Sequence, residues 1–239
     1  MILGEPNDIC LLQPLTMRLH RSRLLGLQKT LSARRSLLAA LTLLPLAVGT
    51  AARGQSATAH LAPTPAQTEG PFYPRTFPAD RDGDLTRVAG HGAAARGHPL
   101  YLQGVVKGTD DAPLPGTVVE LWQCDALGRY HHAGDATPQD ENFQGYGRVT
   151  ADGEGRYAFK TIRPVAYGGR PPHLHFKLVT PSRLTLTTQL YVRGDATEGD
   201  GALAALSRAA QARLALTLEP LAGREPDALT AEYAFVLRS

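Results

Sequence analysis

Apolar and polar residues alternate with period two in several short segments of the second half of the chain, separated by clusters of Gly, Pro and Asp. Side chains of a strand point alternately to opposite faces, so each such segment can bury one face against a core. Over 99–107 the alternation puts Leu100, Leu102 and Val106 on one side. A turn is expected at Gly108-Thr109-Asp110-Asp111-Ala112-Pro113, then a strand over 116–124 that is β-branched early and carries the only Trp, Trp122. Residues 148–162 read as a hairpin around Asp152-Gly153-Glu154-Gly155, with Tyr157 and Phe159 sharing a face. Further strands are expected from 173, at 184–192 and at 231–237, while 202–214 has helical composition. Short strands with this punctuation predict a mostly β chain: an antiparallel β-sandwich with a short C-terminal helix and long loops. It would occupy 99–239, preceded by an extended arm over 60–98 that is rich in Pro, Gly, Thr and Asp.

Charge changes the picture of the N-terminus. The net charge of +3 would suggest an acidic partner, but residues 1–59 hold seven Lys/Arg against two acids, leaving 18 basic and 20 acidic residues in 60–239. Nucleic-acid binding is therefore not expected. A basic stretch ends in Ser32-Ala33-Arg34-Arg35-Ser36-Leu37-Leu38, an apolar run continues to Val48, and Ala57-Thr58-Ala59 offers a cleavage site. About 12 apolar residues fall short of the ~20 that span a bilayer, so 1–59 reads as a cleaved export signal. The paired arginines resemble a twin-arginine signal. The mature chain is expected in the periplasm or outside the cell, with no membrane attachment. Cys10 would leave with the leader, and Cys124 reads as a small buried hydrophobe beside Trp122. Asp80-Arg81-Asp82-Gly83-Asp84 opens like a calcium loop, but position twelve is His91 rather than Glu, so a solvated turn is expected.

The candidate chemistry lies in Tyr167-Gly168-Gly169-Arg170-Pro171-Pro172-His173-Leu174-His175-Phe176. On a strand, His173 and His175 point one way while Leu174 and Phe176 point the other. The Gly and Pro residues upstream form a bend, which lets Tyr167 fold back toward the histidines and puts Arg170 at the edge. A lone His-x-His pair is common on exposed strands. The other candidate in this sequence is Tyr130, in Trp122-Gln123-Cys124-Asp125-Ala126-Leu127-Gly128-Arg129-Tyr130-His131.

Together these two segments resemble the intradiol ring-cleavage dioxygenases, the non-haem iron(III) family that includes protocatechuate 3,4-dioxygenase and catechol 1,2-dioxygenase. Thr68-Glu69-Gly70-Pro71-Phe72-Tyr73-Pro74, Thr161-Ile162-Arg163-Pro164 and Thr188-Gln189-Leu190-Tyr191 are similar to family segments in the same order, and the resemblance covers about 65–239. It implies Fe(3+) held by Tyr130, Tyr167, His173 and His175, with Tyr167 and His175 axial and Tyr130 and His173 equatorial. It further implies that Tyr167 leaves on substrate binding and accepts a proton, that Arg170 stabilises negative charge on the substrate, and that Gln189 supports the site. The implied reaction uses O2 to open a catechol-type ring between its hydroxylated carbons. The ligand types suit the ion: iron(III) is a hard acid that favours anionic oxygen, and a phenol with a pKa near ~10 ionises at neutral pH beside a strong cation.

Two departures stand out. Gly168 replaces the bulky residue that follows the axial tyrosine in protocatechuate enzymes, with a shorter loop to Arg170. The N-terminal helical segment that catechol 1,2-dioxygenases use to dimerise has no counterpart. Two rival readings are a non-catalytic β-sandwich binding module and a copper or zinc protein using His173 and His175. The histidines His131 and His132 are expected in a loop near the mouth, and His60, His91 and His98 at the surface.

Overall fold

The structure, a computed structural model, describes residues 60–131, 137–195 and 200–238. The predicted leader over 1–59 and His132 lie outside the described residues. Two sheets face each other. One has the order β4 (Arg156–Ile162), β1 (Pro99–Gly108), β9 (Leu229–Leu237), β8 (Glu219–Pro220). The other runs β3 (Tyr146–Thr150), β2 (Val118–Trp122), β5 (His173–Val179), β6 (Thr185–Val192), β7 (Ala215–Leu216). The core between them takes the inward residues of each strand: Leu100, Leu102 and Val106 from β1, Leu174, Phe176 and Leu178 from β5, and Phe235 from β9. Phe176 meets Phe235 across the gap with ring centroids 5.0 Å apart. Each such fully buried side chain contributes about 1.5–3 kcal/mol.

The mostly β prediction holds, with three corrections. The sheets are mixed, because β1 runs parallel to β9 and β6 parallel to β7. Parallel pairing needs a long crossover, and β9 returns to β1 only after the whole second sheet has been laid down. The predicted hairpin over 148–162 is instead a passage between sheets, since β3 pairs with β2 and β4 with β1. Its turn chemistry is as expected: Asp152 Oδ1 accepts from the Glu154 and Arg156 amides, and Gly155 has φ +74°. A turn signature does not specify whether its flanks pair with each other. The helical segment is two short helices, α1 (Gly201–Ala204) and α2 (Arg208–Arg213), capped by Asp200 and Ser207 and followed by three more strands.

The arm positions the site. Leu61 N donates to Thr109 O, Thr64 N to Val236 O and Gln67 N to Thr187 O, so the chain crosses the ends of β1, β9 and β6 in turn. It then covers the outer face of the second sheet. There Lys177 bonds Glu69 at 2.8 Å, Tyr73 donates to Glu120 at 2.8 Å, and Gln189 donates to Thr68 O at 2.9 Å. This cover explains why His173–Phe176 is buried on both faces instead of alternating. At the Asp80–Asp84 turn, carboxylates cap backbone amides, Asp80 that of Ala89 and Asp84 that of Thr86, which is the solvated turn expected.

Candidate metal centre

Three local devices bring the donors together. Asp125, with no exposed surface, accepts the Leu127 and Arg129 amides at 2.9 Å and the Asp140 amide at 2.8 Å. Burial alone would raise its pKa, but the His131 side chain and these three amides together hold the carboxyl below its ordinary value. The turn it organises, with Gly128 at φ +73°, delivers Tyr130. The second device is a two-residue hairpin. Tyr167 N donates to Arg170 O and Arg170 N to Tyr167 O, with Gly168 and Gly169 both at positive φ. Glycine tolerates this backbone at both central positions without steric strain, so Tyr167 and Arg170 face each other across it. The third is the register of β5, whose His175 lies between Trp122 and Gln189 and whose His173 lies beside Tyr191.

All four predicted donors converge. Ring centroids are 5.0 Å apart for Tyr130 and Tyr167, 5.4 Å for Tyr167 and His173, 4.8 Å for the two histidines, and 6.1 Å for Tyr130 and His175. His173 Nδ1 lies 2.6 Å from Pro171 O, so it carries the proton and leaves Nε2 as the lone-pair nitrogen. That Nε2 lies 3.1 Å from His175 Nε2. The buried Tyr130 hydroxyl and His175 Nδ1 find no hydrogen-bond partner among the described residues. Two imidazole nitrogens at this distance and an unsatisfied phenol are what a shared cation would satisfy. Among the described residues no group of three His, Cys, Asp or Glu suited to a metal is found, and the oxygen donors beside the two histidines are those of Tyr130 and Tyr167. Two nitrogens and two phenol oxygens fit iron(III).

The electrostatics agree with that fit. Burial lowers His173 to about 4, with Arg170 adding and the Pro171 carbonyl opposing, so the imidazole is neutral at pH 7. Burial, then His173 and Arg170, hold His175 well below its ordinary value. Burial, followed by the neighbouring Tyr167, pushes the Tyr130 phenol far up, so its ionisation requires a cation beside it.

Arg170 borders the cluster. Its guanidinium donates to Asp200 Oδ2 at 2.8 Å, Gln189 Oε1 at 2.9 Å and the Tyr191 hydroxyl at 3.2 Å, with Nη1 3.1 Å from His173 Nε2. Burial opposes its charge, but Asp200 more than compensates and holds it protonated. Gln189 is fixed at both ends, by Arg170 and by Thr68 O.

Sequence reasoning missed Asp200, Tyr191, Trp122, Asp125 and Phe72 as parts of the site. Tyr191 shares the parity of Gln189 and was legible by period two. Asp200, ahead of an Ala-rich segment, carried only a helix-cap signal. Trp122 stacks on His175 at 4.9 Å and Phe72 on Tyr130 at 4.4 Å, contacts without a local signature. His131 Nε2 lies 3.7 Å from Asp125, in ion-pair range but beyond a hydrogen bond. His131 also lines a cavity of about 140 Å³ with Phe72, Tyr130 and Tyr146. His60, His91 and His98 are exposed as expected. A cavity of about 660 Å³ opens among Gln103, Arg156, Tyr157 and Glu232, none of which belongs to the donor cluster.

A family model described as dioxygenase matches residues 68–239. The chain is 41% identical over 126 residues to the protocatechuate 3,4-dioxygenase beta chain of Burkholderia cepacia, a match covering 48% of this chain and 53% of the relative. It is 35% identical over 115 residues to catechol 1,2-dioxygenase 1 of Acinetobacter lwoffii, covering 41% of this chain and 37% of the relative. The chain spans about half the length of the curated relatives it matches. Among solved structures, it resembles the dioxygenase domain of a carbohydrate-binding fusion from Streptomyces sp. SirexAA-E, with TM-score 0.55 and 27% identity over 74% of this chain and 99% of that one. It also resembles catechol 1,2-dioxygenase from Pseudomonas arvilla C-1, with TM-score 0.57 and 27% identity over 74% of this chain and 62% of that one.

Proposed function

This chain belongs to the dioxygenase family that contains the protocatechuate and catechol ring-cleaving enzymes, and we propose that it is a non-haem iron(III) intradiol dioxygenase of catechol-type aromatics. The observation that carries this is the pair of histidine Nε2 atoms 3.1 Å apart beside the unsatisfied Tyr130 hydroxyl. Tyr130, Tyr167, His173 and His175 would hold the iron(III), which when bound would supply a Lewis acid that makes a catechol reactive toward O2. Both atoms of O2 enter the product, a muconate-type diacid.

The chain's own residues have separable roles. His173 and His175 are neutral donors, so they add no charge. Tyr130, buried and clamped by Phe72, stays in place as a ligand. Tyr167 is half-buried and hangs on the Gly168-Gly169 hairpin, which suits a ligand that moves aside and takes a proton from a substrate hydroxyl. The Arg170 guanidinium, beside His173, stabilises negative charge that develops on the substrate. Removing a preorganised cation of this kind commonly lowers the rate by ~10²–10³.

The test is a visible absorption spectrum of the iron-loaded protein, before and after catechol is added without oxygen. A tyrosinate-to-iron band that shifts to longer wavelength is expected. Arg170→Ala should keep the band and lose turnover, whereas His175→Ala should lose iron. A colourless protein after iron reconstitution would overturn the reading and favour a binding module on the same scaffold. Export belongs to the same proposal, supported by the leader pattern at 1–59, and cell fractionation tests it: full-length chain retained in the cytoplasm refutes it.

A further inference from the structure

Arg170 is the charged wall of the proposed site, but its planar fork is useful only if its orientation is fixed. A guanidinium has five donors in one plane, so anchoring Nε and one terminal nitrogen sets where the other points. Here Nη2 is held by two neutral oxygens, those of Gln189 and Tyr191. Nε is held by Asp200 Oδ2 at 2.8 Å, and the Asp200 side chain is only 1% exposed. The remaining nitrogen, Nη1, faces the donor cluster. The ion pair is thus a dipole with its positive end turned toward the reacting centre. Asp200 Oδ1 does separate work, accepting the Leu203 amide at 2.8 Å and capping α1.

We propose that Asp200 is a positioning residue that acts through Arg170, aiming Nη1 at the substrate. The inference rests on the reading of Arg170 as the group that stabilises charge on the substrate. The two functions of the carboxylate are separable by substitution. Asp200→Asn keeps an oxygen for the helix cap, at which Asn is as good as Asp, but sets an N–H donor against Arg170 Nε. Asp200→Ser also caps, and leaves Nε without a carboxylate.

The experiment is steady-state oxygen uptake with catechol for wild type, Asp200→Asn, Asp200→Ser, Arg170→Ala and the Arg170→Ala/Asp200→Asn double variant. Iron content and the visible band are recorded for each. Asp200→Asn is expected to lower kcat by ~10–100-fold, the range for a misaimed catalytic group, with KM changed less than about threefold and the band unaltered. In the Arg170→Ala background the same substitution should have no further effect, because the group it aims is gone. An equal loss in that background would overturn the inference in favour of a cap or folding role. So would wild-type kcat in Asp200→Asn alongside a crippled Arg170→Ala, and that result would leave the dioxygenase reading intact. If Asp200→Asn does not fold, Asp200→Ser is read by the same criteria. Full activity in Arg170→Ala would remove Arg170 from the mechanism and this inference with it.

Discussion

Replacing Tyr73 with Phe removes one hydroxyl from the arm that roofs the site and leaves the ring in place. That hydroxyl donates to Glu120 Oε2 at 2.8 Å, and Glu120 is 8% exposed. The ring contacts should survive: Lys177 Nζ sits 4.3 Å above the Tyr73 centroid, and Trp122 meets it edge-on at 5.0 Å. The loss is therefore one hydrogen bond to a buried charged group, about 1.5–3 kcal/mol. Tyr146 packs against the same carboxylate and still serves it, which favours the lower part of that range. For a chain of this size each kcal/mol shifts Tm by ~2–4 °C, so Tyr73→Phe should melt ~3–8 °C below wild type. Burial, then Glu120, raises the Tyr73 hydroxyl far above its ordinary value, so the contribution is complete below the unfolded value near ~10 and fades only as pH rises beyond it. Thermal melts of both proteins between about pH 6 and 9 should then differ by a constant amount. A Tm within about 1 °C of wild type, or an equal loss when Glu120 is already Leu, would refute the reasoning.

Two further substitutions and a labelling experiment probe the rest of the fold. Gly104→Ala places a Cβ 1.8 Å from Tyr233 O and 3.0 Å from the Tyr157 hydroxyl, which itself donates to Tyr233 O at 2.9 Å across the glycine. Overpacking plus the lost bond should destabilise by ~3 kcal/mol or more in urea titration, and Gly104→Val by more still; wild-type stability for Gly104→Ala would contradict the packing described here. Burial pushes the Cys124 thiol up to about 11, against ~8.5 when unfolded, so the folded state keeps its proton longer. Its contribution is full below ~8.5 and lost as pH rises through about 11. In a Cys10→Ser background, iodoacetamide at pH 8 should label Cys124 only after unfolding, and fast labelling of the native protein would show that the thiol is not buried.

Short-range chemistry was legible in the chain itself. Period two put Leu100, Leu102 and Val106 into the core and His173 and His175 on one face, because strand geometry depends on nothing beyond the strand. The Gly168-Gly169 and Asp152–Gly155 turns were readable for the same reason, since positive φ and amide capping are settled within four or five residues. Tertiary structure alone decided which strands those turns join. The segment around Asp152 carries both turn chemistry and strand alternation, yet it passes between sheets, because its flanks find better partners in β2 and β1 than in each other. It also decided that the outer face of β5 is dry. That face is closed by an arm from far upstream, through Glu69 to Lys177 across 108 residues and, on neighbouring β2, Tyr73 to Glu120 across 47, and no local pattern encodes which distant segment will cover a sheet. The pairing of Asp200 with Arg170 is of the same kind: the two lie 30 residues apart with no shared local pattern, and only the folded chain placed one carboxylate where it both caps α1 and holds the guanidinium.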